Sequence, residues 1–296
     1  MTHTLEIKAF ECVSADLGEC PIWDARSQHL WMMDCRKGRI FEIDTCADTC
    51  TSWSVPAPAG AFAINEDGKL LVALKEQLVL LERASGGLKT LAKLPESHEH
   101  LRFNDGVALD DGGFLVGTMH IHRKEHEPPK GGIFRLDCDG TFSKVGHACG
   151  VANGPNLGPF DQRLYIADSA CRRIDSFAVS DRFELTDQRL FVDTDTLGSA
   201  PDGCCFDSQG GLWSALVRAG SVVRFDHRGD VSHRIDLPVS HPSSLCFGGP
   251  DGDDLFVTSI RNSERITADG PLDGKVLQIK GVGFTGLPRP RCRIDL

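Results

Sequence analysis

Short runs of apolar residues, separated by polar turns rich in glycine and aspartate, recur along the whole chain. Within these runs the apolar residues either alternate with polar ones or stand together briefly, and Val, Ile, Leu and Phe are prominent. This pattern is typical of β-strands, whose side chains alternate between two faces. An amphipathic helix would instead need apolar residues three and four positions apart. The chain is therefore predicted to be all β.

One unit of this pattern recurs six times, as a series of apolar strands joined by polar turns. The copies begin at about Gly18, Gly60, Asp105, Asn153, Asp202 and Ser243. Their spacing of roughly 40–50 residues suits a four-stranded propeller blade. In four copies an Asp/Gly turn links two strands, at Asp67–Gly68, Asp111–Gly112, Asp207–Gly210 and Asp251–Gly252. We predict a six-bladed β-propeller that forms a single domain over residues 1–296.

The two ends of the chain lead to different expectations. A ring of blades exposes unpaired strand edges unless a terminal strand completes the last blade. The segment Leu5–Val13 precedes the first copy and alternates in polarity, so we predict that it supplies this closing strand. The proline-rich segment GLPRPRCRIDL at the other end is expected to be a surface extension.

Composition narrows the range of partners and compartments. The 296 residues include 42 acidic and 32 basic side chains, for a formal net charge of -10, with no long block of either sign. Nucleic acid and anionic membranes are therefore disfavoured as partners, and small neutral or cationic ligands fit better. The N-terminus has no apolar signal-peptide core, and no apolar run approaches the ~20 residues of a membrane span. Twelve scattered cysteines without a CxxC pair favour reduced thiols and a cytoplasmic protein.

Three oxygen-bearing residues, Glu19, Asn153 and Asp202, stand at the starts of different copies. Equivalent positions of a propeller meet near one mouth of its channel, and carboxylate and amide oxygens suit a hard cation. These residues are the predicted metal ligands. Asn-Gly and Asp-Gly pairs are also common turn formers, so the pattern alone leaves a purely structural role open for each.

The segment RFNDG adds candidate substrate contacts. In an extended strand Arg102 and Asn104 project to one side while Phe103 faces the packing. Arg and Asn together supply many hydrogen-bond donors for sugar oxygens, although an arginine that pairs with a neighbouring acid explains the spacing as well.

Two histidines follow the segment GTM. His120 and His122 could ligate a metal or act as acid or base. Because they begin the polar stretch HIHRKEHEPPKGG, we expect exposed histidines in a long solvated loop, which could serve as a lid. The chain contains no nucleophile elbow, P-loop or HExxH motif.

Seven segments, taken in order, resemble the senescence-marker/regucalcin and gluconolactonase family: GECPIW, RFNDG, GTM, NGPN, YIADS, PDG and SSLCFGGPDGDDLFVTS. The resemblance spans nearly the whole chain. It implies a six-bladed propeller that binds one divalent metal ion at the end of its channel. It also implies hydrolysis of a sugar lactone, as in most characterised enzymes of the family.

The resemblance also implies a role for each matching residue. Glu19, Asn153 and Asp202 match the metal ligands of the family, and we expect Asp202 also to accept the proton of the attacking water. Arg102 and Asn104 match its substrate-contacting pair.

The chain departs from the animal members after GTM, where His120, Ile121 and His122 replace acidic residues. Sugar preference therefore stays open, with His122 as a candidate substrate contact.

The expected function is metal-dependent hydrolysis of an aldonolactone to the aldonic acid in sugar catabolism, by a monomer or weak homo-oligomer. L-arabinono-, D-xylono-, D-galactono- and D-gluconolactone all fit as substrates, and Ca, Zn, Mn, Mg or Fe(II) all fit as the metal.

Two alternative functions stay open. One is an organophosphate-type hydrolase on the same fold, because a propeller does not by itself specify a reaction. The other is a regucalcin-like calcium-binding protein without enzymatic activity.

Overall fold

A computed structural model describes residues 4–124 and 126–295. It contains twenty-four strands arranged as six antiparallel sheets of four strands each. The sheets form the blades of a six-bladed β-propeller, as predicted. Apart from the strands, the only regular element in this part of the chain is a 3-10 helix at Thr194–Leu197.

The strands follow the chain in order, beginning with β1 (Glu6–Ala9). The first blade contains β2 (Gly18–Asp24), β3 (His29–Asp34), β4 (Arg39–Asp44) and β5 (Thr49–Ser54). The second contains β6 (Ala59–Ile64), β7 (Leu70–Leu74), β8 (Gln77–Leu81) and β9 (Leu88–Lys93). The third contains β10 (Leu101–Ala108), β11 (Phe114–His120), β12 (Ile133–Leu136) and β13 (Phe142–Gly146).

The fourth blade contains β14 (Ala152–Leu157), β15 (Leu164–Asp168), β16 (Arg173–Val179) and β17 (Leu185–Asp193). The fifth contains β18 (Pro201–Phe206), β19 (Leu212–Leu216), β20 (Ser221–Phe225) and β21 (Val231–Asp236). The sixth contains β22 (Pro242–Gly248), β23 (Asp254–Ser259) and β24 (Leu277–Lys280), and β1 completes it.

The closing strand is confirmed, although it is shorter than Leu5–Val13. Strand β1 pairs antiparallel with β24, in a register that places Glu6 opposite Lys280. Beyond the strand, Phe10 and Val13 are fully buried. The N-terminal segment therefore both covers the outer edge of the last blade and contributes to the core.

Aromatic side chains pack neighbouring blades against each other. The Trp23 ring of the first blade stacks on the Phe256 ring of the sixth, with centroids 5.5 Å apart. The Trp213 ring of the fifth blade meets the Phe247 ring of the sixth edge to face, with centroids 5.8 Å apart. Such pairs bury large apolar areas. The seam between the first and last copies is therefore packed by aromatic rings, as is the junction of the fifth and sixth blades.

Every innermost strand has an irregularity of pairing near its start. The register shifts fall at Glu19/Ile22, Ala59/Ala61, Phe103/Gly106, Asn153/Asn156, Pro201/Cys204 and Pro242/Ser244. A bulge bends a strand and turns its side chains to new directions. Because the innermost strands contact each other around the channel, the six bulges form a ring at one mouth.

The expectation that the C-terminal segment is a surface extension is wrong. Cys292 and Ile294 are buried, and the Cys292 amide donates to the Ile64 carbonyl oxygen at 2.9 Å. The Asn65 side chain donates to the Ile294 carbonyl oxygen at 3.0 Å. The segment lies across the ends of the inner strands, opposite the mouth that carries the bulges, because those strand ends leave backbone groups that it can pair.

Two features bear on compartment and chemistry. All twelve cysteines are free thiols, and the buried ones lie in strands, in the turn after β3 and in the C-terminal segment. Over residues 4–124 and 126–295, no helix has the length and apolar character needed to cross a bilayer.

Candidate functional site

Three carboxylates converge on the mouth that carries the bulges. Glu19 follows the first residue of β2, Asp105 lies in the bulge of β10, and Asp202 follows the first residue of β18. Burial raises the pKa of Glu19 well above its ordinary value, and the charges of Asp202 and Asp105 raise it further. Burial and the Asp105 charge likewise raise the pKa of Asp202. The three blades therefore bring acidic side chains close enough to repel one another.

Arg102 is the positive group among these acids. Its charge lowers the pKa of both Glu19 and Asp202, although burial and mutual repulsion dominate for both carboxyls. Burial in turn lowers the pKa of the guanidinium itself. One guanidinium against three carboxylates leaves an excess of negative charge, which a cation or bound protons must offset.

A chain of hydrogen bonds runs around the mouth from the third blade to the fifth. Arg102 Nη1 donates to Asn104 Oδ1 at 3.0 Å, and Asn104 Nδ2 donates to Asn153 Oδ1 at 2.6 Å. Asn153 Nδ2 donates to Ser169 Oγ at 2.8 Å, and Ser169 Oγ donates to the Pro201 carbonyl oxygen at 2.6 Å. The predicted substrate-contacting pair and a predicted metal ligand therefore belong to one network, which ends beside Asp202.

The local backbone explains how the fourth blade joins this network. Gly154 has φ +52°, and a Cβ there would lie 2.6 Å from Cys204 Cβ of the next blade. Its amide donates to Asp105 Oδ2 at 2.7 Å. A left-handed glycine thus lets β14 approach β18 closely, and it fixes the direction of the adjacent Asn153 side chain.

The donor set fits a divalent cation. Glu19 and Asp202 supply carboxylate oxygens, and Asn153 Oδ1 has a second lone pair beside the one that accepts from Asn104. In the part of the chain that the structure describes, no three His, Cys, Asp or Glu side chains are grouped to hold a metal by themselves. The candidate set therefore includes the amide oxygen of Asn153.

A family model described as the SMP-30/Gluconolactonase/LRE-like region matches residues 17–261. The chain belongs to this family. A 6-deoxy-6-sulfogluconolactonase of Pseudomonas putida is 32% identical, over 93% of this chain and 94% of that protein. A regucalcin of Xenopus laevis is 29% identical, over 94% and 96%. A pentonolactonase of Haloferax volcanii is 32% identical, over 88% and 84%.

A solved structure has the same fold. A luciferin-regenerating enzyme superposes with a TM-score of 0.89, covering 98% of this chain and all of that one at 22% identity. The match extends over the six blades rather than over one part of them.

The rim of the mouth differs from the expected solvated loop with exposed histidines. His120 is buried, burial lowers its pKa, and its Nδ1 accepts from the Lys130 amide at 3.3 Å. His122 is exposed, with its Nε2 3.3 Å from Glu264 Oε2 of the sixth blade. The charge of Glu264 also acts on Arg102. The prediction of exposure is therefore wrong for His120, because the polar stretch folds back over it, and right for His122.

Sequence reasoning assigned no role to two residues of this SMP-30/gluconolactonase site. Asp105 accepts from the amides of Gly106 and Gly154 and from Cys20 Sγ, and so joins three blades. Ser169 connects Asn153 to the fifth blade. Asp105 stands beside Asn104 in RFNDG, and Ser169 ends YIADS. Both residues lie in segments that carried the resemblance.

Proposed function

We propose that this protein hydrolyses a sugar lactone to the aldonic acid, with a divalent metal ion held by Glu19, Asn153 and Asp202. The observation that carries the proposal is the joining of two predicted residue sets at one mouth. The Arg102–Asn104 pair is hydrogen-bonded to Asn153. After burial, the charge of Asp202 is the main cause that raises the pKa of Glu19, so these two carboxylates lie close together. Two related proteins with 32% identity are named as lactonases.

Arg102 and Asn104 are the proposed groups that orient the lactone ring. Arg102 Nη1 is held by Asn104 Oδ1 and, at 2.8 Å, by the Phe103 carbonyl oxygen. These bonds fix the plane of the guanidinium and direct its remaining N–H groups on Nε and Nη2 to ring and hydroxyl oxygens of a substrate. A pre-positioned donor array lowers the entropic cost of aligning the carbonyl for attack.

Asp202 is the proposed proton acceptor. Its ordinary pKa would make it a weak base, but burial and the nearby Asp105 carboxylate raise that pKa well above the usual value. The carboxylate lies beside the proposed cation site, in position to accept a proton from an attacking water. A divalent cation bound at this site would supply Lewis-acid polarisation of the lactone carbonyl.

His122 is the proposed contact for the part of the substrate outside the ring. It lies on the rim beside Glu264, whose charge also reaches Arg102. The imidazole can donate a hydrogen bond to a substrate hydroxyl group, and the adjacent carboxylate can accept one from it. Lactones that differ in chain length or in the substituent at the last carbon are therefore the substrates that should be compared.

A pH-indicator assay over a panel of pentono- and hexonolactones, a sulfonated hexonolactone and an organophosphate tests the reaction class. The protein is assayed after chelation and again after Ca²⁺, Zn²⁺ or Mn²⁺ is restored. We expect acid release from at least one lactone, its loss on chelation and its recovery with metal. Turnover of the organophosphate alone, or cation binding without turnover of any lactone, would refute the proposal.

Asp202→Asn separates the two proposed roles of that residue. The amide keeps the shape and one oxygen donor but removes the charge and the proton acceptor. Metal affinity should weaken, and turnover at saturating metal should still fall by about 10²-fold or more, the scale of a lost general base. Glu19→Gln is the matched control, because it removes the charge of a proposed ligand and leaves the proposed base. Near-normal turnover of the metal-saturated Asp202→Asn protein would limit Asp202 to a ligand role.

A further inference from the structure

The C-terminal segment crosses the channel at the end opposite the carboxylates. The Thr285 carbonyl oxygen accepts from the Ser208 amide of the fifth blade, and the Gly286 amide donates to the Gly252 carbonyl oxygen of the sixth. Further along, Arg291 pairs with Asp24 of the first blade, with Nη2 2.7 Å from Oδ2. This route from one side of the ring to the other takes the intervening residues beneath the channel axis, outside the region that the family model matches.

Arg289 is the residue of this segment that enters the channel. Its Nη1 donates to Asn156 Oδ1 at 2.8 Å, and its Nη2 approaches the Cys204 carbonyl oxygen at 3.4 Å. Asn156 is buried at the point where pairing resumes after the bulge of β14, and Cys204 is buried at the matching point of β18. One guanidinium thus joins the inner strands of the fourth and fifth blades, from the channel end opposite the carboxylates.

These contacts lead directly to the candidate metal site. Asn156 Nδ2 donates to the Gly154 carbonyl oxygen at 3.1 Å and to the Cys204 carbonyl oxygen at 2.8 Å. Gly154 follows Asn153, and its amide holds Asp105 Oδ2. The arginine therefore fixes the amide side chain that braces this turn, and the turn carries a proposed metal ligand.

Arg289 also faces the Asp105 carboxylate across a cavity. Asp105 and Cys20 line the cavity on the side of the carboxylates. Asn156, Cys204 and Arg289 line it on the side of the C-terminal segment. Burial raises the pKa of Asp105, and the charge of Arg289 opposes that rise.

We propose that Arg289 is a positioning residue for the metal site, which it supports from the far end of the channel through Asn156 and the turn at Gly154. This inference rests on the metal site of the proposed function. Arg289 touches neither the substrate nor the proposed ligands. It acts by holding the Asn153 turn and the fifth-blade strand in register, as outer partners of metal ligands commonly do.

The test compares two arginines of the same segment in the full-length protein. Arg289→Met removes the guanidinium in the channel and keeps an apolar stem of similar length. Arg291→Met removes the guanidinium that pairs with Asp24, away from the proposed ligands. Ca²⁺ and Mn²⁺ affinities are measured by titration calorimetry, and thermal stability is measured on the metal-free proteins. Both measurements are independent of lactone turnover.

Arg289→Met should lower cation affinity by about 10- to 100-fold, the usual cost of losing an outer partner of a metal ligand. Arg291→Met should lower the melting temperature and leave the affinity near that of the wild type. Arg289→Lys keeps the charge but cannot hold Asn156 and the Cys204 carbonyl together in the same geometry, so its affinity should lie between those of Arg289→Met and the wild type.

Wild-type affinity in a folded Arg289→Met protein would overturn the inference. Equal losses of cation affinity in the Met variants of Arg289 and Arg291 would overturn it as well. Such losses would show that any weakening of the C-terminal segment's contacts lowers the affinity. If Arg289→Met does not fold, Arg289→Lys decides: weakened affinity supports the inference and unchanged affinity overturns it. A wild type that binds these cations but hydrolyses no lactone, with affinity still lost in Arg289→Met, would refute the lactonase proposal and support this one.

Discussion

Gly154→Ala tests whether the close approach of the fourth and fifth blades is what the site depends on. The glycine has φ +52°, and an added Cβ would lie 2.6 Å from Cys204 Cβ and 2.7 Å from the Cys204 amide nitrogen. Both neighbours belong to the inner strand of the next blade. The extra methyl group therefore has no flexible side-chain end to push aside, and the strand itself must move.

The expected loss of stability has two parts. A left-handed conformation costs an L-residue about 1–2 kcal/mol, and overpacking a tight interior adds about 1–3 kcal/mol. The sum is about 2–5 kcal/mol. Gly86→Ala provides the control, because Gly86 has φ +72° in the turn between β8 and β9 and an added Cβ would meet nothing within 4 Å. The Gly86→Ala variant should therefore lose only the stability that the left-handed conformation costs.

Urea unfolding of both variants, followed by intrinsic fluorescence, measures the difference. Calorimetric titration with Ca²⁺ then shows whether the neighbouring Asn153 has moved, which should weaken binding in Gly154→Ala and leave it unchanged in Gly86→Ala. Equal destabilisation of the two variants, with equal cation affinity, would show that the interblade contact has no special cost and that the reasoning is wrong.

Two further predictions follow from the N-terminal strand and from the raised carboxyl pKa values. Deleting residues 1–11 removes β1 and the buried Phe10, so the melting temperature should fall and the exposed edge of β24 should promote aggregation; an unchanged melting temperature without aggregation would refute closure by this strand. Because the folded-state pKa values of Glu19 and Asp202 are raised, the metal-free protein should lose stability as pH rises above about 4, and Ca²⁺ binding should release protons and tighten with pH. Calorimetry in buffers of different protonation enthalpy measures that release, and pH-independent affinity without release would contradict the assignment of these ligands.

The fold could be predicted from sequence because each blade is locally encoded. Alternating apolar strands repeat in every copy and Asp/Gly turns in four of the six, so the number of blades follows from counting. The turns at Asp111–Gly112 and Asp207–Gly210 do join strands within a blade, as predicted. The closing role of the N-terminal segment followed from the need to cover a strand edge, and only its length was misjudged.

The tail and the histidine loop were misjudged because their partners are distant in sequence. Proline and arginine dominated the tail, although Cys292 and Ile294 alternate with arginines as in a half-buried strand. That alternation was the available signal. His120 lies in a polar stretch, yet it is buried. Nothing local in the sequence identifies the groups that cover it.

Within the candidate site, residue types were predictable and connections were not. The sequence motifs pointed to Arg102, Asn104 and Asn153 separately, whereas their hydrogen-bonded chain depends on the bulges of two strands, β10 and β14, that face each other at the mouth. Asp105 was visible in its motif. Its links to Cys20 and Gly154 appear only when three blades are assembled.

The N-terminal strand and the C-terminal segment are hydrogen-bonded to different blades of the ring. The N-terminal strand is joined to the sixth blade, and the C-terminal segment bonds to the first, second and third blades after leaving the sixth. A linear array of repeats can fray from a free end one repeat at a time. Here no terminal blade can detach without breaking a contact made by a distant part of the chain. The six copies should therefore unfold together in one cooperative transition, despite the local encoding of each.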